Sequence, residues 1–309
     1  MATHHLDDSV IQPYWDNSVE PRLVIASGDT VVFDCLDASG QLTASSTVQD
    51  YLGVDRSMIH ALNGSVFVED AEPGDVLEVE ILDMQHKGWG WTGFKPGFGL
   101  LADDFPDPHF HIWELDGEDC LFGVNDIIVP FEPMPGCVGV ALAEDGRFDT
   151  IPPRVNGGNV DIRDLTTGST FWLPVLVPGA LFSTGDCHAA QGQGEVCGTG
   201  IECPMTVTLK FHVRKDMHVK ELQYRRPSPI SKVDSAGYHA TSAHGPDLYV
   251  NAQNAVRYMI DWLSDTRGLT RAQAYVLCSA AGNLHISEIV DQPNWIVSAH
   301  MPLAIFADA

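Results

Sequence analysis

The sequence LPVLVPGALFSTGDCHAAQGQGEVCGTGIE occupies Leu173–Glu202, and the fold and function of the chain can be inferred outward from it. It begins as an apolar, strand-like run and continues into a segment rich in glycine. Acid, amide and imidazole groups close together on a glycine-rich backbone favour chemistry over packing. We therefore interpret the rest of the chain as a β-rich scaffold that presents this stretch to a small neutral substrate. The polar residues concerned are Asp186, His188, Gln191, Glu195 and Glu202.

Short apolar runs bounded by turn residues extend on both sides of this stretch, from Pro21 to about Val219. In Val76–Ile81 the side chains alternate between two faces, as they do in a half-buried strand. Many short strands with Gly and Pro turns and few helical patterns are typical of a β-sandwich or a distorted barrel. The predicted strands are Leu23–Ile25, Thr30–Cys35, Val76–Leu82, Cys120–Val124, Ile127–Phe131, Cys137–Ala143, Thr170–Val177 and Met205–Val213.

Helical patterns appear only near the C-terminus. Apolar residues recur three and four apart in Asp247–Arg267, where Asp247 can cap the start of a helix and Gly268 its end. Thr270 and Gln273 match a capping box, which predicts a second helix over Thr270–Ala281.

Two further strands, Leu284–Val290 and Trp295–Pro302, are predicted after these helices. The expected architecture is therefore mainly β: a β-sandwich or distorted-barrel body over residues 1–219, and a smaller C-terminal α/β portion over residues 220–309 that packs on it. Lys220–His244 is the predicted linker between them.

The composition excludes several classes of partner. The formal charge of −25 argues against nucleic acid and against anionic membrane surfaces, both of which require Lys and Arg. No apolar run is long enough for a transmembrane helix, and the first residues lack the pattern of a signal peptide. Seven cysteines without a CxxC pair fit a reducing compartment, so a cytoplasmic protein is expected.

The strongest candidates for chemistry are Asp186 and His188. If the strand continues to this point, residues two apart share a face, so the carboxylate and the imidazole would point the same way. Such a pair can bind a divalent metal, or it can act as a base and its orienting carboxylate. Glycines at Gly192 and Gly194 could bring Glu195 back to the same place. The spacing alone leaves a polar turn with hydrogen-bonded side chains as the alternative.

Other candidates lie upstream. Gly157–Asp161 is either an Asx-bonded turn or a site in which Asn159 donates to the substrate and Asp161 binds a metal. His60 is either a structural histidine or a metal ligand. His109 and His111 have the spacing of ligands, with nothing else in support.

Gly88–Leu101, GWGWTGFKPGFGLL, has neither strand nor helix periodicity. It is interpreted as a structured loop, which either fills gaps or forms an apolar wall over a small pocket.

Together these segments resemble the acetamidase/formamidase family over nearly the whole chain. His60 stands before a strand that is similar to the family's V-E-x-A-x-P-G-D-x-L-x-V-E-I pattern. Asn283 stands where the family is expected to have an Asp, after the second C-terminal helix. The similar segments are Val68–Ile81, Pro96–Leu101, Gly157–Asp161, Gly185–Glu195 with Glu202, and Ala274–Ser279.

The resemblance implies a metal-dependent amidohydrolase that cleaves small linear amides of the formamide or acetamide type, with a β-rich fold and a homodimeric or higher assembly. Zinc or calcium is the implied metal, and zinc suits a mixed nitrogen and oxygen shell. The predicted metal ligands are His60, Asp161, Asp186 and His188.

In the predicted mechanism a bound metal polarises the amide carbonyl and activates water. Glu195 or Glu202 takes the proton from that water and passes it to the departing ammonia. Asn159, or backbone N–H groups of Gly192–Gly194, stabilises the oxyanion. Two rival hypotheses are an amidase with Cys187 as its nucleophile and a non-catalytic β-sandwich that binds a small ligand and uses its metal structurally.

Overall fold

The structure is a computed structural model that describes residues 1–226, 236–290 and 292–307. Strands account for 37% of the chain and helices for 14%, so the mainly β prediction is confirmed. The helices are α1 (Val48–Leu52), α2 (Leu248–Arg267) and α3 (Arg271–Ala281), with short 3-10 turns at Arg56–Met58 and Leu303–Ile305. The strands are β1 (Thr3–Leu6), β2 (Leu23–Ile25), β3 (Thr30–Cys35), β4 (Asn63–Val68), β5 (Val76–His86), β6 (Trp89–Phe94), β7 (His109–Asp116), β8 (Asp119–Leu121), β9 (Ile128–Pro130), β10 (Met134–Gly139), β11 (Gly157–Asn159), β12 (Thr170–Pro174), β13 (Phe182–His188), β14 (Met205–Arg214), β15 (Gln223–Arg225), β16 (Tyr238–Gly245), β17 (Asn283–Glu288) and β18 (Trp295–Pro302).

Two large sheets form the body of the protein. One has the strand order β1-β3-β14-β5-β12-β15, and the other has the order β11-β10-β13-β4-β2. Phe182 of β13 packs against rings from three strands of the first sheet, with centroid distances of 6.3 Å to Phe33, 6.4 Å to Phe171 and 5.1 Å to Phe211. All four rings are fully buried, so the two sheets face each other across an aromatic core, as in a sandwich.

A four-stranded sheet, β6-β7-β8-β9, corrects one prediction. The segment Gly88–Leu101 was expected to be a loop, but its first half is strand β6, paired antiparallel with β7. Gly90 is needed there because a Cβ atom would lie 2.8 Å from Ile201 and 2.9 Å from the carbonyl oxygen of Glu202. The glycines that hid the strand periodicity thus allow β6 to lie close to the chain at Glu202.

The C-terminal helices begin and end where their capping residues predict. Asp247 accepts hydrogen bonds from the first backbone N–H groups of α2, and Gly268 ends it with a left-handed φ of 64°. Thr270 and Gln273 form the predicted capping box of α3. No helix within the described ranges is both long enough and apolar enough to cross a bilayer.

The linker prediction was partly wrong. Within Lys220–His244, strand β15 joins the six-stranded sheet, and β16 pairs with β18 in a three-stranded sheet β16-β18-β17. The middle of this stretch, residues 227–235, lies outside the described residues. The division of the chain at residue 219 remains a prediction.

Helix α3 packs directly on the β-rich part of the chain. The ring of Tyr275 lies 5.3 Å from that of Phe94 and 4.5 Å from that of Phe105. Its hydroxyl donates to the carbonyl oxygen of Val196 and accepts from the backbone N–H of Leu101 at 2.9 Å. The helix thereby holds both the glycine-rich stretch and the segment that follows β6.

Candidate active site

Asp186 and His188 lie at the end of β13, and their side chains meet as the strand alternation predicted. Asp186 Oδ1 is 3.8 Å from His188 Nε2, and both residues are buried. Asp186 has a φ of 55°, in the left-handed region that is costly for a residue with a Cβ atom. Such local strain is concentrated at functional sites.

His60 enters the site just before β4, which is the neighbour of β13 in the sheet. Its Nε2 lies 3.7 Å from Asp186 Oδ2. Its backbone N–H donates to Thr150 Oγ1 at 2.9 Å, which fixes the residue from behind. The structure therefore places His60 beside Asp186.

Asn159 and Asp161 arrive from the other side of the sheet, at the end of β11. The backbone N–H of Asp161 donates to the carbonyl oxygen of Gly136 at 3.2 Å, and the residue has a left-handed φ of 46°. A Cβ atom on Gly136 would lie 2.6 Å from Asp186 Oδ2 and 2.7 Å from Asp161 Oδ1. The absence of a side chain at Gly136 lets the two carboxylates approach each other.

Glu202 is positioned by two bridges of the backbone, one to Trp91 of β6 and one to His188 of β13. Its Oε1 accepts from the backbone N–H of Gly200 at 2.9 Å, and its Oε2 lies 3.0 Å from His188 Nε2. Strand β6, which the sequence periodicity did not predict, thus helps to position Glu202.

Glu195 returns to the site through the predicted glycine-rich turn. Its backbone N–H donates to the carbonyl oxygen of Gly192 at 3.1 Å, and its φ is 43°. The side chain lines the same cavity as the other acids. The proposed oxyanion donors of this turn are largely engaged, because Gly192 N–H donates to Ser279 and Gln193 N–H to Asn283.

Gln191 fixes the orientation of the His188 ring. The Gln191 amide nitrogen donates to the carbonyl oxygen of Asp161 at 2.7 Å, so its Oε1 is the atom that accepts from His188 Nδ1, also at 2.7 Å. In the neutral ring, Nε2 is then the lone-pair nitrogen, and it faces the carboxylates of Asp186 and Glu202. Outer partners of this kind commonly orient metal-binding histidines.

Cys137 belongs to the site but was not predicted to do so. Its sulfur lies 3.3 Å from Asn159 Oδ1, 3.5 Å from His60 Nδ1 and 3.7 Å from Asp186 Oδ2. The register of β10 brings it there, since Cys137 is opposite Asn159 on one side and Gly185 on the other. No local pattern marks this residue; only the strand pairing does.

The other candidates lie elsewhere. Cys187 is fully buried, and its thiol contacts Cys35, which with burial raises its pKa well above the ordinary value. It does not line the cavity, which argues against Cys187 as the nucleophile. His109 and His111 lie on β7, and neither of them lines the cavity.

Burial and charge shift the pKa values of the site strongly. Burial raises the pKa of Asp161 to about 8, and the charge of Asp186 adds to this. Burial likewise raises the pKa of Glu202 to about 7 and that of Glu195 well above its ordinary value. Burial opposes ionisation of Asp186 too, but His60 and His188 outweigh it and lower its pKa. Either protonation or a bound cation would relieve the repulsion among these buried carboxylates.

The donors fit a bound cation. Asp161 Oδ1, His188 Nε2 and Glu202 Oε2 are buried and have no aligned hydrogen-bond partner among the described residues. The potential ligand atoms form three overlapping groups, and the atoms of each group all lie within 4.8 Å of one another. The groups are His60, Cys137 and Asp186; Asp161, Asp186 and His188; and His188, Glu195 and Glu202. Buried polar atoms without partners are rare, and a metal ion would satisfy them.

The cavity over these donors has a volume of about 110 Å³. Its acidic inner end is formed by buried residues, whereas Trp91, Phe98 and Ile151 form an apolar wall. Trp91 and Phe98 come from the segment Gly88–Leu101, so the predicted apolar wall is present, although part of it is a strand. Asn159 lines the wall as well, with its amide nitrogen 3.3 Å from the carbonyl oxygen of Ile151.

Comparisons with known proteins agree on one family. Residues 2–145 and 142–308 match the sequence profile of the Acetamidase/Formamidase family. The chain is 29% identical to a formamidase of Methylophilus methylotrophus, over 97% of this chain and 90% of that protein. It is 31% identical to an acetamidase of Mycolicibacterium smegmatis, over 85% of this chain and 83% of that protein.

Solved structures show the same relationship. A gamma lactamase from Delftia acidovorans superposes with a TM-score of 0.91 at 26% identity, covering 99% of this chain and 94% of that one. An acetamidase from Bacillus halodurans superposes with a TM-score of 0.69 at 30% identity, covering 97% of each chain.

Proposed function

The chain belongs to the acetamidase/formamidase family and is a hydrolase of carbon–nitrogen bonds in linear amides, and from this premise we propose that the buried acidic site holds a divalent metal and performs the hydrolysis. The observation that carries the proposal is the set of three buried donors without aligned partners, Asp161 Oδ1, His188 Nε2 and Glu202 Oε2.

Asp161, Asp186, His188 and His60 are the proposed metal ligands, and the geometry adds Glu202 to this set. All five lie around the end of β13, the central strand of the five-stranded sheet. Imidazole nitrogens mixed with carboxylate oxygens favour zinc; calcium, which prefers oxygen ligands only, is the second choice.

A metal in this site would polarise the amide carbonyl and lower the pKa of water there. Glu195 is then the better candidate for the base, because Glu202 is held by Gly200 and faces His188. Glu195 lines the cavity, so its carboxylate can face a water molecule or a substrate there. It would accept the proton of the attacking water and return it to the departing ammonia.

Asn159 is the proposed oxyanion donor. Its Oδ1 accepts from the thiol of Cys137, which orients the amide, and its nitrogen uses one hydrogen towards Ile151. The amide also contacts the carboxylate of Asp161, and its second hydrogen would stabilise negative charge on the carbonyl oxygen of the substrate.

Ammonia release from formamide and acetamide tests the proposal. We expect the wild-type protein to hydrolyse at least one of them, and Glu195→Gln to keep its metal while its activity falls by a factor on the order of 10²–10⁴, the usual contribution of a general base. His244→Ala, outside the cavity, is the matched control and should keep full activity. An active Glu195→Gln variant would assign the base to Glu202 and refute our choice.

Hydrolysis of a γ-lactam is a second candidate. The structural neighbour named a gamma lactamase overlaps with this chain more fully than the acetamidase does. A lactam is a cyclic amide, so the same carbonyl chemistry applies, but the amine stays attached to the product. Formation of the ring-opened amino acid without ammonia release would identify this activity.

We also propose a cytoplasmic homodimer or higher oligomer. All seven cysteines are free and buried, which fits a reducing compartment. Sedimentation of the purified protein would test the oligomer, and a monomer would refute it.

A further inference from the structure

Two cationic side chains line the same cavity as the acidic site. Arg56 lies in the 3-10 turn Arg56–Met58, and Lys95 directly follows β6. They are the only Lys or Arg residues among those described that line this cavity. Their presence is unusual, because the whole chain has 17 Lys and Arg residues against 42 Asp and Glu residues.

Neither cation is neutralised by an ion pair with any described residue. Within the described parts of the chain, neither Arg56 nor Lys95 makes an ion pair, although acidic residues greatly outnumber basic ones. The Lys95 ammonium lies 5.5 Å from the centre of the Tyr51 ring, which holds it towards the cavity. Partial burial, with the nearby charge of Arg56, lowers the pKa of Lys95, so the arrangement is unfavourable in the free protein.

The cavity therefore has two ends of opposite charge. Asp186 and Glu202 are buried at the inner end, whereas Arg56 is exposed and Lys95 half-buried at the outer end. The apolar residues Trp91, Phe98 and Ile151 also line this cavity. A substrate with an anionic group far from its amide would match this distribution in only one orientation.

The cavity is also larger than the smallest amides require. One water molecule needs roughly 10–15 Å³ of such space, and the cavity of about 110 Å³ has room for several. Formamide, with three heavy atoms, would leave the region near Lys95 empty.

We propose that the preferred substrate is an amide whose acyl chain ends in a carboxylate, bound by Arg56 and Lys95 while its amide lies at the acidic end. This inference rests on the proposed function and names its substrate class. The reaction breaks the carbon–nitrogen bond and adds water, so that an ω-amido carboxylate and water give a dicarboxylate and ammonium. The minimal neutral amides would remain substrates, but with lower efficiency.

Matched pairs of substrates test the proposal. The monoamides of malonic, succinic and glutaric acid are each compared with the neutral diamide of the same acid, after correction for its two equivalent amides. We expect at least one monoamide to exceed its diamide in kcat/KM by about tenfold or more. Because one partly exposed charge contributes up to about 1 kcal/mol, Lys95→Met and Arg56→Met should each lower this ratio about fivefold.

Lys87→Met is the matched control, because Lys87 pairs with Asp34 at 3.0 Å and does not line the cavity. The ratio of monoamide to diamide kcat/KM in Lys87→Met should equal that of the wild-type protein. Calorimetric binding of succinamate, malonamate and glutaramate to Glu195→Gln gives a readout that does not depend on turnover.

The outcomes separate the two proposals. The substrate assignment would be overturned if every diamide were hydrolysed as well as its monoamide or better, or if Lys95→Met left the kcat/KM ratio unchanged. Either result would leave the proposal of amide hydrolysis intact. Absence of turnover together with tight binding that requires Lys95 would support the anion site and refute the proposed function. Absence of binding by every monoamide would overturn the inference.

Discussion

Glu202 Oε2 lies 3.0 Å from His188 Nε2, close enough for an ion pair, yet the two atoms are not aligned as a hydrogen bond. Both atoms are buried and face the same space as Asp161 Oδ1. This relationship is expected of ligands that share a metal ion rather than of a simple acid–imidazole pair.

Gln191 should control metal affinity without touching the metal. Its Oε1 fixes His188 Nδ1, so Gln191→Leu removes the partner that keeps Nε2 directed at the site. We expect metal affinity to fall about 10- to 100-fold, the usual effect of losing such a partner. Competition with a fluorescent chelator measures this. Gln253→Leu is the control, because the amide nitrogen of Gln253 donates to the carbonyl oxygen of Leu100. Equal metal affinities in the two variants would contradict the role of Gln191.

Gly136 should not tolerate a side chain. In Gly136→Ala the new Cβ atom would lie within 2.7 Å of oxygens from both Asp161 and Asp186. We expect the free energy of unfolding to fall by about 1–3 kcal/mol and activity to fall more than tenfold. Gly53→Ala is the matched control, because Gly53 has a φ of −83° and its nearest neighbour would lie at 3.3 Å. Chemical denaturation measures the free energy of unfolding of both variants, and amidase assays measure their activity.

His111, which lies away from the site, should make the stability of the fold depend on pH. Burial, with the charge of His109, lowers the pKa of His111 from 6.5 to about 4. The unfolded chain then binds more protons between pH 6.5 and 4, so stability is full above pH 6.5 and falls as the pH drops towards 4. The contribution is on the order of 3 kcal/mol. His111→Phe should flatten the decline in the free energy of unfolding over this pH range. An unchanged dependence on pH in this variant would exclude His111 as its cause.

Tyr275 should stabilise the fold through its hydroxyl. Tyr275→Phe leaves the buried N–H of Leu101 and the carbonyl of Val196 without this partner, so we expect a loss of about 1–3 kcal/mol. Tyr258→Phe, at an exposed position of α2, should change stability by less than about 0.5 kcal/mol. Equal stability of the two variants in urea would show that the hydroxyl contributes nothing.

Local signals in the sequence predicted the two C-terminal helices well, whereas the short helix α1 was not predicted. Asp247, Gly268 and the Thr270–Gln273 box act within one turn of the backbone, so their positions decide where helices begin and end. Alternation likewise located strand β5 at Val76–Ile81. Strand β6 was missed because its glycines interrupt the alternation, and they do so to allow close contact with the chain at Glu202.

The site was predicted only in part, for a related reason. Asp186, His188 and Glu195 are close in sequence, so their spacing carries information about their proximity. Cys137 and Gly136 enter through the register of β10 with its two neighbours, and that register is set by pairing across the sheet. A single sequence does not contain a local pattern for such contacts.

The central claim is that hydrolysis depends on a metal held by the buried donors. The most direct measurement is the metal content of the purified protein, read together with ammonia release from amides, before chelation, after chelation and after metal is restored. We expect at least one divalent metal per chain, loss of activity on chelation, recovery with zinc, and loss of both metal and activity in His188→Ala. Full amidase activity in the chelated protein, or unchanged metal content and activity in His188→Ala, would contradict the account.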